Sequence, residues 1–219
     1  MDDDPVLDAL SLLDWRRTIG ELYAEVRGTP DPPAAWRRWR EVRSRLFTRH
    51  AQSPLPPAQR PGYAGPYMYD YDPAWAVTGS VAPAEARHFE IATSNEDVMA
   101  FTRFGVVRFE SGGVVSSLEL YWLEGYGGGL FLPFADATSG NETYGAGRYL
   151  LDTVKGADLG HDGGRLGLDF NFAYQPSCAY DPRWTCPLAP PANRLAVPVR
   201  AGERFRPDPS LHARRMRAV

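Results

Sequence analysis

The apolar residues of this chain change their period once, near Tyr67, and that change constrains the fold more than any other feature. Before it they recur at helical spacing, as Leu7, Leu10 and Leu13 and then Ile19, Leu22, Tyr23 and Val26. Two start signals, Asp4-Pro5 and Asp31-Pro32, each set an Asp cap before a proline at the first helical position, where its missing N–H is not needed. Gly28 supplies a stop between them. The second stretch puts Trp36, Trp39, Val42 and Leu46 on one stripe, with Arg37, Arg38, Arg40 and Arg43 around it. Two helices are predicted, Pro5–Arg27 and Pro32–Arg49. The arginines of the second read as a solvated face.

From Tyr67 onward the pattern alternates. Strands are predicted over Ala74–Val81, Ala86–Thr93, Arg103–Glu110, Val114–Leu123, Leu130–Phe134, Arg148–Val154 and Arg165–Phe172. Leu195–Val199 is a further candidate, with Pro198 favouring an edge. Gly112-Gly113 is a two-residue hairpin turn, and Leu118, Leu120 and Trp122 share one face of the strand after it. Many short strands joined by close turns predict a mainly β fold, an antiparallel sandwich or barrel with two N-terminal helices. Residues 1–50 are expected to be a helical segment packed on the same domain, 51–204 the β domain and 205–219 a loose basic tail.

Composition narrows the functional classes. In 219 residues, 43% hydrophobic and 23% charged, a sizeable core is available. The formal net charge of -3 argues against a nucleic-acid footprint, which needs clustered positive charge. All the basic residues but Lys155 are arginine, which favours planar, bidentate contacts to anions. No apolar run approaches the roughly 18 residues that span a bilayer, and the acidic start at Asp2 to Asp4 is unlike a secretory signal. A cytoplasmic protein with no membrane partner is expected. There Cys178 and Cys186 would be reduced thiols; their spacing is not the Cys-x-x-Cys of zinc or redox sites. A disulfide closing the short loop, or zinc with help from His50, His88 or His161, are the competing readings.

Chemistry concentrates between Tyr121 and Glu203. Gly127 to Gly140 is Gly-rich and ends in a turn carrying Asp136, Thr138 and Ser139; Glu142, Tyr144 and Arg148 follow. On a strand, Asp169 and Asn171 point one way and Phe170 and Phe172 the other. A hairpin through Gly156–Gly164 would bring Arg148 close to Asn171. Dinucleotide, P-loop and nucleophile-elbow motifs are absent, so no cofactor and no metal is assigned. Ser139 in its turn reads as a hydroxyl bonded to nearby backbone. The Pro-rich piece Cys186–Leu195 reads as a strap across the sheet.

The runs Pro133–Gly140, Glu142–Tyr149, Asp169–Cys178, Cys186–Leu195 and Ala201–Glu203 resemble the signature of the family called domain of unknown function 1684. His50–Leu55 resembles a further family element that ends the second helix. The resemblance covers most of the chain from about Arg49 to Glu203. It implies membership and brings no activity with it.

Three functions fit these residues. The first is a pocket for a small polar or anionic molecule, lined by Arg148, Tyr144, Asp169, Asn171 and Tyr174. The second is a hydrolase or isomerase with Asp136, Glu142 or Asp169 as general base and Arg148 stabilising negative charge. The third is a structural or interaction module in which buried Arg–carboxylate pairs only specify the fold.

Overall fold

The structure, a computed structural model, describes residues 4–94 and 98–206. The expected basic tail beyond Arg206, with His212, lies outside the described residues. The fold is mainly β with two N-terminal helices, α1 (Pro5–Gly28) and α2 (Pro32–Arg49). Both begin where the Asp-Pro signals place them: Asp4 accepts from the Val6 N–H and Asp31 from the Ala34 N–H, with proline in the first turn. α1 buries Ile19, Leu22, Tyr23 and Val26, all in its second half. Leu7, Leu10 and Leu13, read as part of the apolar stripe, are more than half exposed at 64, 55 and 51%.

Among the described residues seven strands follow: β1 (Ala76–Ala92), β2 (Val98–Ser111), β3 (Val114–Leu123), β4 (Gly129–Phe134), β5 (Arg148–Asp152), β6 (His161–Asp162) and β7 (Arg165–Asp169). They form one antiparallel sheet in the order β5-β4-β3-β2-β1-β7-β6. The two strands expected before residue 94 are one long strand with a register shift between Pro83 and Arg87. A proline is tolerated at such a bulge because the ladder is already interrupted. The sheet curls. The chain leaving β7 reaches the opposite edge, where Tyr149 of β5 and Tyr174 exchange backbone hydrogen bonds of 2.9 and 3.0 Å.

The bulge in β1 faces a second one, between Arg103 and Gly105 of β2. There the buried face changes. Leu118 and Leu120 of β3 join Val107, Phe109, Leu132, Phe134, Leu150 and Leu168 in the main core, whereas Tyr121, the next residue, faces a smaller cluster with Ile91, Phe101, Phe131 and Tyr149. Trp122 shares the face of Leu118 and Leu120 by period, yet it is 48% exposed, because beyond the bulges that face is the open one.

Two expected strands take other forms. Asp169 ends β7, and Phe170–Phe172 is a 3-10 turn capped by Asp169, whose side chain accepts from the Asn171 N–H. Phe170 and Phe172 therefore point into different cores, the first into the sheet core and the second into the cluster with Trp36 and Trp39 of α2. The segment Leu195–Val199 forms no strand. Its neighbour Arg194 makes an isolated bridge to Ala135. Phe205, placed in the tail by sequence, is anchored by its N–H, which donates to the Glu142 carbonyl at 2.8 Å.

Candidate functional site

Arg148 was expected to line a pocket. It is fully buried, and both terminal nitrogens of its guanidinium bond to the fold, while its Nε has no hydrogen-bond partner among the described residues. Nη2 donates to Asp136 Oδ2 at 2.9 Å and to the Val199 carbonyl at 2.8 Å; Nη1 donates to the carbonyls of Ala201 and of Glu203, the latter at 3.1 Å. Asp136 in turn accepts from the N–H groups of Thr138 at 2.7 Å and Val199 at 3.2 Å. The pair ties β5 and the turn after β4 to the C-terminal segment 199–203. The glycine before Arg148 serves close packing. Gly147 has a φ of +96°, and a Cβ there would stand 2.5 Å from the Phe134 carbonyl oxygen. Gly147→Ala is expected to lower the urea midpoint by an amount equal to about 1–3 kcal/mol; an unchanged midpoint would show that β4 can move aside.

Asn171 is also buried and works as a backbone clamp, not beside Arg148 as the expected hairpin had it. Its Oδ1 accepts from the Asp72 N–H at 2.9 Å, and its Nδ2 donates to the Asp72 carbonyl at 2.8 Å and to Asp169 at 2.8 Å. Burial raises the Asp169 carboxyl above its ordinary range, against hydrogen bonds from Asn171 and Tyr71. The Tyr71 hydroxyl, pushed up to about 12 by burial and by Asp169, stays a donor to it.

The three carboxylates considered as general bases do not converge on one cleft. Asp136 is paired inside and Asp169 caps a turn. Glu142 sits beyond the Asp136 turn, bound by Arg200 at 2.9 Å and by the Tyr69 hydroxyl at 2.9 Å. The Arg200 hydrogen bond holds the Glu142 carboxyl below its ordinary range against partial burial. Ser139 accepts from the Asp136 N–H at 3.1 Å, the local backbone bond expected of a turn hydroxyl. The remaining pocket candidates also divide. The Tyr144 N–H donates to Gln175 Oε1 at 3.0 Å, while the Tyr174 ring lies under the Arg43 guanidinium, 4.9 Å away.

A second buried pair was not foreseen. Arg43 of α2 donates through Nε to Glu203 Oε1 at 2.8 Å, with a further bond from Nη2. Glu203 Oε2 accepts from the Gln175 N–H and from the Tyr180 hydroxyl, each at 2.8 Å. Arg43 sits on the helix face that was read as solvated, but the aromatic rings of Trp39, Phe47 and Tyr174 surround it at 4.9–5.2 Å.

Gln175 and Tyr180 of this network line a cavity of about 350 Å³. The cavity is bounded by the loop from Pro61 to Tyr67, by Gln175 and Tyr180, and by Arg204, Phe205 and Arg206. The Arg204 guanidinium lies 4.5 Å over the Tyr69 ring, and its buried Nε has no hydrogen-bond partner among the described residues. Among the described residues no Asp or Glu lines the cavity. These residues escaped the sequence reading because the 61–67 segment looked like a connector and Arg204 followed the last recognised motif. The tyrosines at 63 and 67, set among prolines and glycines, were the available signal.

His50 and His88 pair with Asp14 at 3.2 Å and Glu124 at 2.8 Å, and the two cysteines are free thiols. Among the described residues no group of three or more His, Cys, Asp or Glu side chains is placed to hold a metal ion, and no helix is long and apolar enough to cross a membrane. The strap lies where the prolines suggest. Asn193 accepts from the Glu119 N–H at 2.8 Å and donates to the carbonyls of Glu119 and Pro133 at 3.0 and 2.8 Å.

A curled antiparallel sheet tied to its C-terminal segment by buried Arg148, with α2 tied to the same segment by buried Arg43, defines the class of protein. Residues 62–204 match the family described as protein of unknown function, DUF1684, and the chain belongs to that family. It is similar to the solution NMR structure of an uncharacterized protein of Haloarcula marismortui, at 32% identity and a TM-score of 0.58, over 78% of this chain and 93% of that one. Comparison with curated proteins gives no match.

Proposed function

We propose that this protein binds a small, flat organic anion in the cavity between the 61–67 loop and the Gln175–Tyr180 segment. The observation that carries the reading is Arg204, a guanidinium whose buried Nε has no hydrogen-bond partner among the described residues, in the wall of a cavity that no acidic side chain among the described residues lines. Arg206 adds a second positive charge, and Tyr63, Tyr67, Tyr180 and Phe205 offer apolar area for a planar body. The volume falls in the range of small-molecule sites, about 300–1,000 Å³. Glu203 and Glu142, the nearby carboxylates, are engaged by Arg43 and Arg200. The site is thus displaced from Arg148, Asp169 and Asn171, whose polar groups, Arg148 Nε apart, bond to the fold.

Benzoate, phenyl phosphate and inorganic phosphate are suitable probes, followed by calorimetric titration. The expected result is binding of the aromatic anions that weakens about 10- to 100-fold in Arg204→Met, the loss of one charged hydrogen bond of about 1.5–3 kcal/mol. The melting temperature should stay near that of the parent. Equal binding by Arg204→Met, or none of the probes binding the parent at millimolar concentration, would remove the reading.

A further inference from the structure

The cysteine pair belongs neither to the cavity lining nor to either buried ion pair, and its surroundings are unlike those of two inert core thiols. Cys178 lies in the 3-10 turn Ser177–Ala179, and Cys186 opens the strap. The intervening loop folds back on itself, with the Asp181 N–H donating to Ser177 and the Trp184 N–H to Asp181, each at 3.2 Å. At its neck the Cys186 sulfur accepts from the Cys178 N–H at 3.4 Å, so the sulfur of one residue rests against the backbone of the other.

The two thiols differ in access. Cys178 is half-buried, whereas Cys186 is 3% exposed. The groups facing them are the Tyr144 hydroxyl, 3.7 Å from the Cys178 sulfur, the Ser94 hydroxyl, the Tyr149 hydroxyl and the Lys155 ammonium. Ser94 is fixed in place, accepting from the Cys186 N–H at 3.1 Å and donating to the Trp184 carbonyl at 2.9 Å. Hydrogen bonding with Cys186, opposed by burial and aided by Tyr144 and Ser94, brings the Cys178 thiol down to about 7. The same contact and burial push the Cys186 thiol up. A half-buried thiol beside the Tyr144 hydroxyl, next to a buried second thiol that keeps its proton, is the arrangement needed for attack followed by resolution.

We propose that Cys178 and Cys186 form a reversible dithiol–disulfide couple, in which the accessible Cys178 meets a hydroperoxide and the buried Cys186 resolves it. In the first step the Cys178 thiolate attacks the terminal peroxide oxygen. An S–O bond forms, the O–O bond breaks, and the departing alkoxide or hydroxide takes a proton from solvent. The sulfur is oxidised to a sulfenic acid and the peroxide is reduced to an alcohol or water. In the second step the Cys186 sulfur attacks that of Cys178. The S–S bond forms, the S–O bond breaks, and the sulfenic oxygen leaves as water with the Cys186 proton. A dithiol reductant returns both thiols by exchange. The product joins the turn at Ser177–Ala179 to the start of the strap, which already bridge through the Cys178 N–H.

The test uses the full chain, which has only these two cysteines. After reduction and treatment with one equivalent of hydrogen peroxide at neutral pH, the intact mass should fall by two hydrogen atoms. Digestion should yield a Cys178–Cys186 linked peptide, and dithiothreitol should reverse both. In Cys186→Ser, dimedone should label Cys178; in Cys178→Ser, Cys186 should stay unmodified. Peptide-mapped alkylation of the untreated parent needs no variant. Cys178 should react with a midpoint near pH 7, shifted upward in Tyr144→Phe, while Cys186 stays protected. A gain of oxygen without a disulfide, or Cys186 alkylating as fast as Cys178 in the folded chain, would overturn the proposal.

Discussion

Arg148→Met is expected to cost about 3–5 kcal/mol of folding stability, measured by urea denaturation, and to lower the melting temperature by on the order of 10 °C. The size follows from what the side chain leaves behind. Asp136 is 1% exposed and would keep a buried charge with two backbone donors but no cation. The carbonyls of Val199, Ala201 and Glu203 would lose their donors as well. Arg148→Lys should rescue little, because an ammonium cannot span four acceptors held by a planar fork. A double variant, Arg148→Met with Asp136→Leu, should regain part of the loss, since an apolar pair avoids the stranded charge. If Arg148→Met instead loses less than about 1 kcal/mol, the buried fork is not a principal tie of the fold.

The second large effect belongs to Glu203→Gln. It keeps the shape of the side chain and removes the negative charge from a guanidinium that is 7% exposed. Arg43 would then rest among three aromatic rings, whose faces attract a cation but replace only part of a carboxylate. A loss of roughly 3–5 kcal/mol is expected. Arg43 reaches Glu203 from α2, so amide exchange should accelerate first in α2 and in the Gln175–Tyr180 segment. A double-mutant cycle with Arg43→Met should show coupling of about 2 kcal/mol or more, and additivity would mean that the two residues stabilise independently.

These two ion pairs mark the boundary between what was legible and what was not. The helix starts at Pro5 and Pro32, the hairpin at Gly112-Gly113 and the whole of Val114–Leu123 could be read, because each rests on residues within a few positions of one another. The family signature was legible for the same reason. Asp169–Phe172 misled because a strand and a strand ending in a capped 3-10 turn begin with the same alternation. The Asp169 cap decides between them only when Asn171 has Asp72 to clamp.

The sequence by itself determined a mainly β chain with two N-terminal helices, its turns, and a polar, Gly-rich stretch before Arg148. Tertiary structure decided what those polar residues do. Arg148 finds Asp136 and three carbonyls across 12 to 55 positions, and Arg43 finds Glu203 across 160. The cavity assembles Tyr63, Gln175 and Arg204 from three distant segments. A charged side chain carries the same chemistry whether it binds the fold or a ligand. Which it does depends on whether the long-range path of the chain delivers acceptors to it, as it does at Arg148.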